Sequence, residues 1–227
     1  MITENVKSLL GELPPGVSVV AAAKSRTPAE ILEAIEAGIS VVGENYVQEA
    51  QVAMEVVGRR ATWHLIGHLQ KNKVARAALL FDLVETIDSV ALAQELDLAC
   101  QRQGKRLPVL VEVNSAREEG KAGVFPEEAE ALVREVAALR HLRVLGLMTL
   151  GPLTADPEEV RPYFRETRRL FERLRATAQT GGEMDVLSMG MSDSYRVAIE
   201  EGATLIRVGT RIFGTRPARS TAGRTEQ

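Results

Sequence analysis

The chain is poor in what would tie it to an oxidising compartment, a membrane or a nucleic acid. Of 227 residues only Cys100 is a cysteine, so no internal disulfide framework can form and a reducing compartment, the cytoplasm, is expected. Cys100 lies within SVALAQELDLACQRQ and reads as a small apolar residue on a packed helix face. No apolar run approaches the roughly 18 residues of a membrane span, and MITENVKSLLGEL lacks the apolar core of a secretion signal, so no membrane association is expected. The net charge of −3 provides no global basic field for nucleic acid. The one local basic cluster, Gln70-Lys71-Asn72-Lys73 with Arg76, has no interleaved aromatics on which bases could stack, and reads as a solvated face. Histidine is scarce as well: His64, His68 and His141, even with Cys100, do not suggest a zinc site.

What the chain has in abundance is alternation. Val17 to Ala23 is apolar except for Ser18, is bounded by Pro14-Pro15-Gly16 and Thr27-Pro28, and reads as a strand buried on both faces that ends on Lys24. Thr27-Pro28-Ala29-Glu30 then reads as a cap, a first-turn proline and an acidic turn opening a helix with Ile31, Leu32 and Ile35. The same unit recurs. Strands are expected at Ile39–Val42, Trp63–Gly67, Phe81–Ile87, Leu107–Val113, Leu142–Leu150, Met184–Met189 and Thr204–Phe213. Helices are expected over 46–57, Gln70–Leu80, Asp88–Gln103, Glu127–Leu139, Pro157–Ala178 and Ser194–Glu201, with an amphipathic helix over 3–13 in front. Eight strands in this order predict a single (β/α)8 TIM barrel over 1–214, the N-terminal helix covering the last strand. An open doubly wound sheet would carry a glycine-rich fingerprint after its first strand, and AAAKSRTP is none. The segment 215–227, rich in Arg, Thr, Ser and Gly, reads as a disordered polar tail. The run of arginines from Arg165 to Arg175, interspersed with Glu166 and Glu172, reads as a salt-bridged exposed helix.

A barrel gathers its strand C-termini at one mouth, where such folds place their sites. The residues that fall there are Lys24, Glu44-Asn45, His64 with Gly67, Asp88-Ser89, Asn114, Met148-Thr149, Ser188 to Ser192, and Arg207 with Gly209-Thr210. Each alone is explained as a turn residue or helix cap. Together they surround one lysine, whose amine is the side-chain group that forms Schiff bases. Small residues in Ser188-Met189-Gly190-Met191-Ser192-Asp193-Ser194 leave amides open before a helix, an arrangement that holds an anion.

From about Val17 to Gly214 the motifs AAAKSRTP, GENYVQEA, WHLIGHLQKNK, IDS, VEVNSAREEGKAG, GLMTL and LSMGMSDSYRVAIEEGATLIRVGTRIFG resemble, in order, the pyridoxal phosphate homeostasis protein family. The resemblance implies a barrel similar to the N-terminal domain of alanine racemase that binds pyridoxal 5′-phosphate (PLP) as a Schiff base on Lys24. It further implies a phosphate site at Ser192, Gly209 and Thr210, with Arg207 facing the pyridine nitrogen and Asn45, His64, Met148, Ser188 and Met189 lining the ring pocket. An arginine there donates and never accepts, so the ring nitrogen stays unprotonated and the ring is a weaker electron sink than one paired with Asp. Two positions depart from the family pattern: Ser194, often acidic there, and His68, often proline.

Three functions fit. The one the resemblance favours is a PLP carrier that buffers and delivers the cofactor to apo-enzymes, expected to have no turnover of its own, since no second domain is expected after Gly214 to supply an opposite-face tyrosine base. The alternatives are a PLP-dependent amino-acid enzyme such as a weak racemase, and an aldolase-like barrel using Lys24 directly on a sugar phosphate. A monomer is expected.

Overall fold

The computed structural model describes residues 1–152, 154, 156–177 and 184–215. Its strands are β1 Ser18–Ala22, β2 Val41–Glu44, β3 Thr62–Leu65, β4 Leu83–Ile87, β5 Leu107–Glu112, β6 Leu142–Met148, β7 Val186–Ser188 and β8 Leu205–Val208. They pair in parallel in chain order, and β8 returns to β1 with Ser18 opposite Leu205 and Ala21 opposite Val208, so the sheet closes and no strand is left as an edge. Around it lie α1 Ile2–Glu12, α2 Pro28–Glu36, α3 Val47–Val57, α4 Val74–Leu80, α5 Val90–Arg102, α6 Pro126–Ala137, α7 Arg161–Ala176, α8 Tyr195–Glu200 and α9 Thr210–Phe213.

The predicted (β/α)8 barrel is the observed one, with local corrections. The strand expected over Thr204–Phe213 ends at Val208, and its last residues form α9 after Gly209. The reason is non-local: α1 docks on that turn, where the Asn5 amide donates to the Ile212 carbonyl at 2.9 Å, while Ile212 and Phe213 are buried. The helix expected over Gln70–Leu80 is a 3-10 turn, Lys71–Lys73, followed by α4. The expected tail lies, but for Thr215, outside the described residues, as do Ala178 and the end of the helix predicted to reach it.

Local chemistry starts the helices where it was expected to. Thr27 and Glu30 form a reciprocal capping box at α2, and the Ser89 hydroxyl accepts from the Leu92 amide at α5. Strand period then sorts side chains between two cores. Val19, Ala21, Val42, Trp63, Leu65, Val109, Val111, Ile206 and Val208 face the helices in one large buried cluster. Val20, Ile66 and Leu205, and Leu83, Leu110 and Met148, form two small clusters apart from it. At about 1.5–3 kcal/mol per fully buried large apolar side chain, the outer layer carries most of the stability. The inner face is therefore free to hold polar groups. Cys100 is fully buried in the outer layer, and burial pushes its thiol up to about 11, which leaves it inert.

The arginines of α7 bind neighbouring elements more than one another. Arg168 pairs with Glu172 on the same helix at 2.6 Å, but Arg165 reaches Glu201 at 2.8 Å and Glu166 accepts from Arg117 at 2.7 Å. Among the described residues no helix is long and apolar enough to cross a membrane.

Candidate functional site at the barrel mouth

Lys24 lies two residues beyond Ala22, on the side of β1 that Val20 and Ala22 turn to the barrel interior. It is half-buried, its Nζ is 5.2 Å from the centroid of the Tyr46 ring, and among the described residues no carboxylate pairs with it. The turn is fixed from behind: Ser25 takes the left-handed conformation at φ 61°, and its amide donates to Glu49 Oε2 at 3.0 Å. The aromatic face offers the ammonium a cation–π contact without neutralising it.

The inner face of the barrel carries a charged network. Arg207 is buried on β8, with Nη2 donating to the Thr149 carbonyl at 2.7 Å and Nη1 donating to Ser188 Oγ. Ser188 passes its own proton to Glu85 Oε2 at 2.6 Å, and Arg207 Nη1 lies 3.7 Å from the same oxygen. His64 Nδ1 lies 2.8 Å from Glu85 Oε1. Burial alone would raise the Glu85 carboxyl, but the His64 hydrogen bond, the charge of Arg207 and the Ser188 hydroxyl together hold it below its ordinary value. An ionised Glu85 only accepts, so His64 carries its proton on Nδ1. For Arg207 burial dominates and lowers its pKa, opposed by Glu85 and Glu112.

The loops after β7 and β8 build an oxygen-binding turn. The amides of Gly209 and Arg211 both point at Ser192 Oγ, at 3.2 and 3.4 Å, and the Met191 amide donates to Ser194 Oγ at 3.1 Å. Gly190 turns the chain at φ 92°, where a Cβ would also strike Ala198 and Tyr195. Gly209 lies beside Ala22, two residues from Lys24. Thr210 is exposed at the first position of α9.

The remaining predicted residues divide. Asn45 follows β2 at the mouth, its backbone so close to Gly67 that any side chain there would clash. Met148 is fully buried on the inner face, level in register with Ser188 and Glu112. Met189 is not brought to the same side: it follows Ser188 directly and packs in the outer cluster among the helices. Of the two departures from the family pattern, Ser194 is buried and caps its own turn, while His68 lies 3.4 Å from Asp88.

Sequence reasoning passed over two inner carboxyls. Glu85 and Glu112 fall inside the expected strands Phe81–Ile87 and Leu107–Val113 and are not among the expected site residues. Glu112 is 4% exposed, its Oε2 has no hydrogen-bond partner, and burial, reinforced by Asp88 and Glu85 against Arg207, pushes it up to about 7. It borders a hollow of about 290 Å³ with Asn114, Ser115, Lys121 and Thr149. A charged residue inside an otherwise apolar barrel strand was the available signal in both cases. Among the described residues no three His, Cys, Asp or Glu side chains cluster as a metal site would need.

The arrangement can do three things: capture an aldehyde or ketone at Lys24, hold an anion at the β7 and β8 loops, and present a fixed guanidinium between them. The family profile described as alanine racemase, N-terminal domain, matches residues 1–217. The pyridoxal phosphate homeostasis protein of Aquifex aeolicus is 40% identical over 214 residues, covering 94% of this chain and 89% of its own, and that of Haemophilus influenzae is 37% identical over 203. The structure of PipY from Synechococcus elongatus without PLP superposes with a TM-score of 0.89 at 36% identity, covering 94% of this chain and all of that one. A second PipY structure, with PLP bound, gives 0.86 at 35% identity and the same coverage. Alanine racemase of Clostridium difficile, 15% identical with a TM-score of 0.75 over 59% of its length, shares the fold alone. By fold, profile and relatives together, the chain belongs to the pyridoxal phosphate homeostasis protein family, built on the alanine racemase N-terminal domain.

Proposed function

We propose that the barrel mouth binds PLP as a Schiff base on Lys24 and that the protein serves PLP homeostasis, buffering the cofactor and delivering it to apo-enzymes without turnover of its own. The observation that carries this reading is the pairing of an amine with no carboxylate partner among the described residues and two amides aimed at one oxygen position, just beyond the C-terminal ends of adjacent strands β1 and β8. The bound PLP of PipY, at 35% identity, supports it. When bound, the cofactor supplies an aldehyde that amines capture and a ring that withdraws electrons.

The residues present fit that group. Ser192, Gly209 and Thr210 would hold the phosphate, and Arg207, whose Nη1 and Nη2 are fixed by Ser188 and Thr149, would serve the ring nitrogen. Asn45, His64, Met148 and Ser188 would line the ring pocket, whereas the Met189 side chain packs in the outer cluster. Glu85, Ser188 and Thr149 fix the guanidinium, so its N–H is aimed before any ligand arrives. A donor at that place leaves the ring nitrogen unprotonated, which favours holding the cofactor over carbanion chemistry.

Lys24 would hold the cofactor through its amine, the C=N bond forming with loss of water. Borohydride reduction of the yellow protein and peptide mapping are expected to find the phosphopyridoxyl group on Lys24; a label on another lysine overturns the assignment. Delivery predicts faster activation of a PLP-dependent apo-enzyme by loaded protein than by the same free PLP concentration set by its dissociation.

The weak-racemase reading keeps one observation in its favour, the Tyr46 ring beside Lys24. Amino-acid turnover abolished by both Tyr46→Phe and Lys24→Ala would establish it. The carrier reading also places the protein in the cytoplasm as a monomer, which sedimentation checks.

A further inference from the structure

A second hollow lies outside the barrel, between α2 and α3, immediately behind the Lys24 turn. Its volume is about 320 Å³, and Ser25, Pro28, Glu44, Glu49, Val52 and Ala53 help to line it. Two features set it apart from an ordinary surface cleft. Glu44, the last residue of β2, is turned away from the barrel axis and is only 2% exposed, and its Oε2 is buried with no hydrogen-bond partner. The second carboxylate, Glu49, uses Oε2 to accept from the Ser25 amide, and among the described residues no cation pairs with it or with Glu44. A buried carboxyl oxygen without a partner is costly, because nothing replaces the water it has lost; the backbone amide of Asn45 serves the Glu44 carboxyl but leaves Oε2 unmet.

The charged groups around Glu44 do not supply the missing partner. From the turn after β1, Arg26 also lines the hollow, but its guanidinium is engaged: it donates to Glu30 at 3.2 Å and to the Gly214 carbonyl at 2.6 Å and lies over the Phe213 ring. From α3 comes only the like charge of Glu49. Burial first, and Glu49 second, push the Glu44 carboxyl up to about 8 against the lowering effect of the Asn45 amide. The walls are apolar on the α3 side, where Val52 is 61% exposed at the rim, and on the α2 side at Pro28.

We propose that this hollow is a binding site for an organic cation bearing N–H donors on a short aliphatic stem, its head held between Glu44 and Glu49 and its stem against Pro28, Val52 and Ala53. The orphan oxygen needs a hydrogen-bond donor, the two carboxyls together need a positive charge, and the apolar walls need a stem. No metal ion is implied, because two carboxylates are too few ligands for a dedicated divalent site. An incoming cation takes the place of the Glu44 proton. Its occupancy would bear on Glu49, which holds the amide next to Lys24.

The test is calorimetric titration of the PLP-loaded full chain with N-butylguanidine, which carries the required head and stem and forms no stable imine with the cofactor. The wild type is expected to bind saturably and to release protons at pH 7.5. Glu44→Gln, which keeps the shape and removes the charge, is expected to weaken binding at least tenfold and to abolish proton release. Glu49→Gln, a milder change on the helix surface, is expected to weaken it severalfold, while Glu55→Gln, an exposed control on the same helix, leaves it unchanged. Absence of saturation, equal affinity in Glu44→Gln, or an equal loss in Glu55→Gln would overturn the proposal. The site is independent of the cofactor assignment, since the titration is read whether or not Lys24 carries PLP.

Discussion

Glu85 and Glu112 occupy the inner face of neighbouring strands β4 and β5, with 0% and 4% exposure, yet their chemistry is opposite. Glu85 has a partner on every oxygen, from His64 and Ser188, with Arg207 beyond, and is held ionised. Glu112 keeps an oxygen with no partner and is pushed up to about 7, at the edge of a hollow. Burial is common to both, so burial does not decide. What decides is which strands each faces: β3 and β7 each supply Glu85 with a hydrogen bond and β8 supplies a charge, whereas the neighbours of Glu112 on β6 are apolar, with Met148 in register beside it. The barrel interior thus has a satisfied half that fixes Arg207 and an unsatisfied half that is open to a ligand.

Removing the cation from the satisfied half should have the largest effect. Arg207→Met leaves Glu85 buried without its charge partner and is expected to cost about 3–5 kcal/mol in denaturant unfolding. Adding Glu85→Gln should recover much of that loss, because the two residues act as one unit; additive losses would break the contrast. On the unsatisfied side the sign reverses. The folded pKa of Glu112 is above its unfolded value of about 4.5, so the unfolded chain ionises first and stability falls as pH rises from about 4.5 to about 7, then levels off. Glu112→Gln is expected to be neutral below pH 4 and stabilising above pH 7, by up to about 3 kcal/mol. Glu85 behaves oppositely: its depressed pKa contributes stability above its unfolded value that is lost as pH falls. Unfolding curves against pH for the two Gln variants should therefore change slope in opposite senses, and parallel curves would refute the comparison. The smallest effect is far from both: Thr27→Ala removes one side of the α2 capping box and should cost about 1 kcal/mol.

The barrel was legible because its signals are local and repeated. Apolar runs of strand length, ended by polar residues and followed by caps such as Thr27-Pro28 and Ser89, identify each unit without reference to the others. The strand extended through Phe213 failed because what stops it at Val208 is the docking of α1, which brings Asn5 to Ile212 from 207 residues away. Lys24 and the β7 and β8 loops were legible as polar residues at strand ends. Glu85 was visible only as an anomaly, since its partners His64 and Ser188 lie 21 and 103 residues distant in sequence. Met189 is a different case. Strand period turns consecutive residues to opposite faces, so Ser188 and Met189 could not both present side chains to one pocket, and that much could be read from the sequence alone.

The central claim is that one amine, Lys24, and the turn at Ser192, Gly209 and Thr210 hold the same cofactor across the mouth. A crystal structure of the protein loaded with PLP tests it most directly. The account predicts continuous density from Lys24 Nζ to the cofactor's former aldehyde carbon, the phosphate on the amides that now point at Ser192 Oγ, and the ring nitrogen facing Arg207. Cofactor density at any other lysine, or a mouth left empty at saturating PLP, would contradict it.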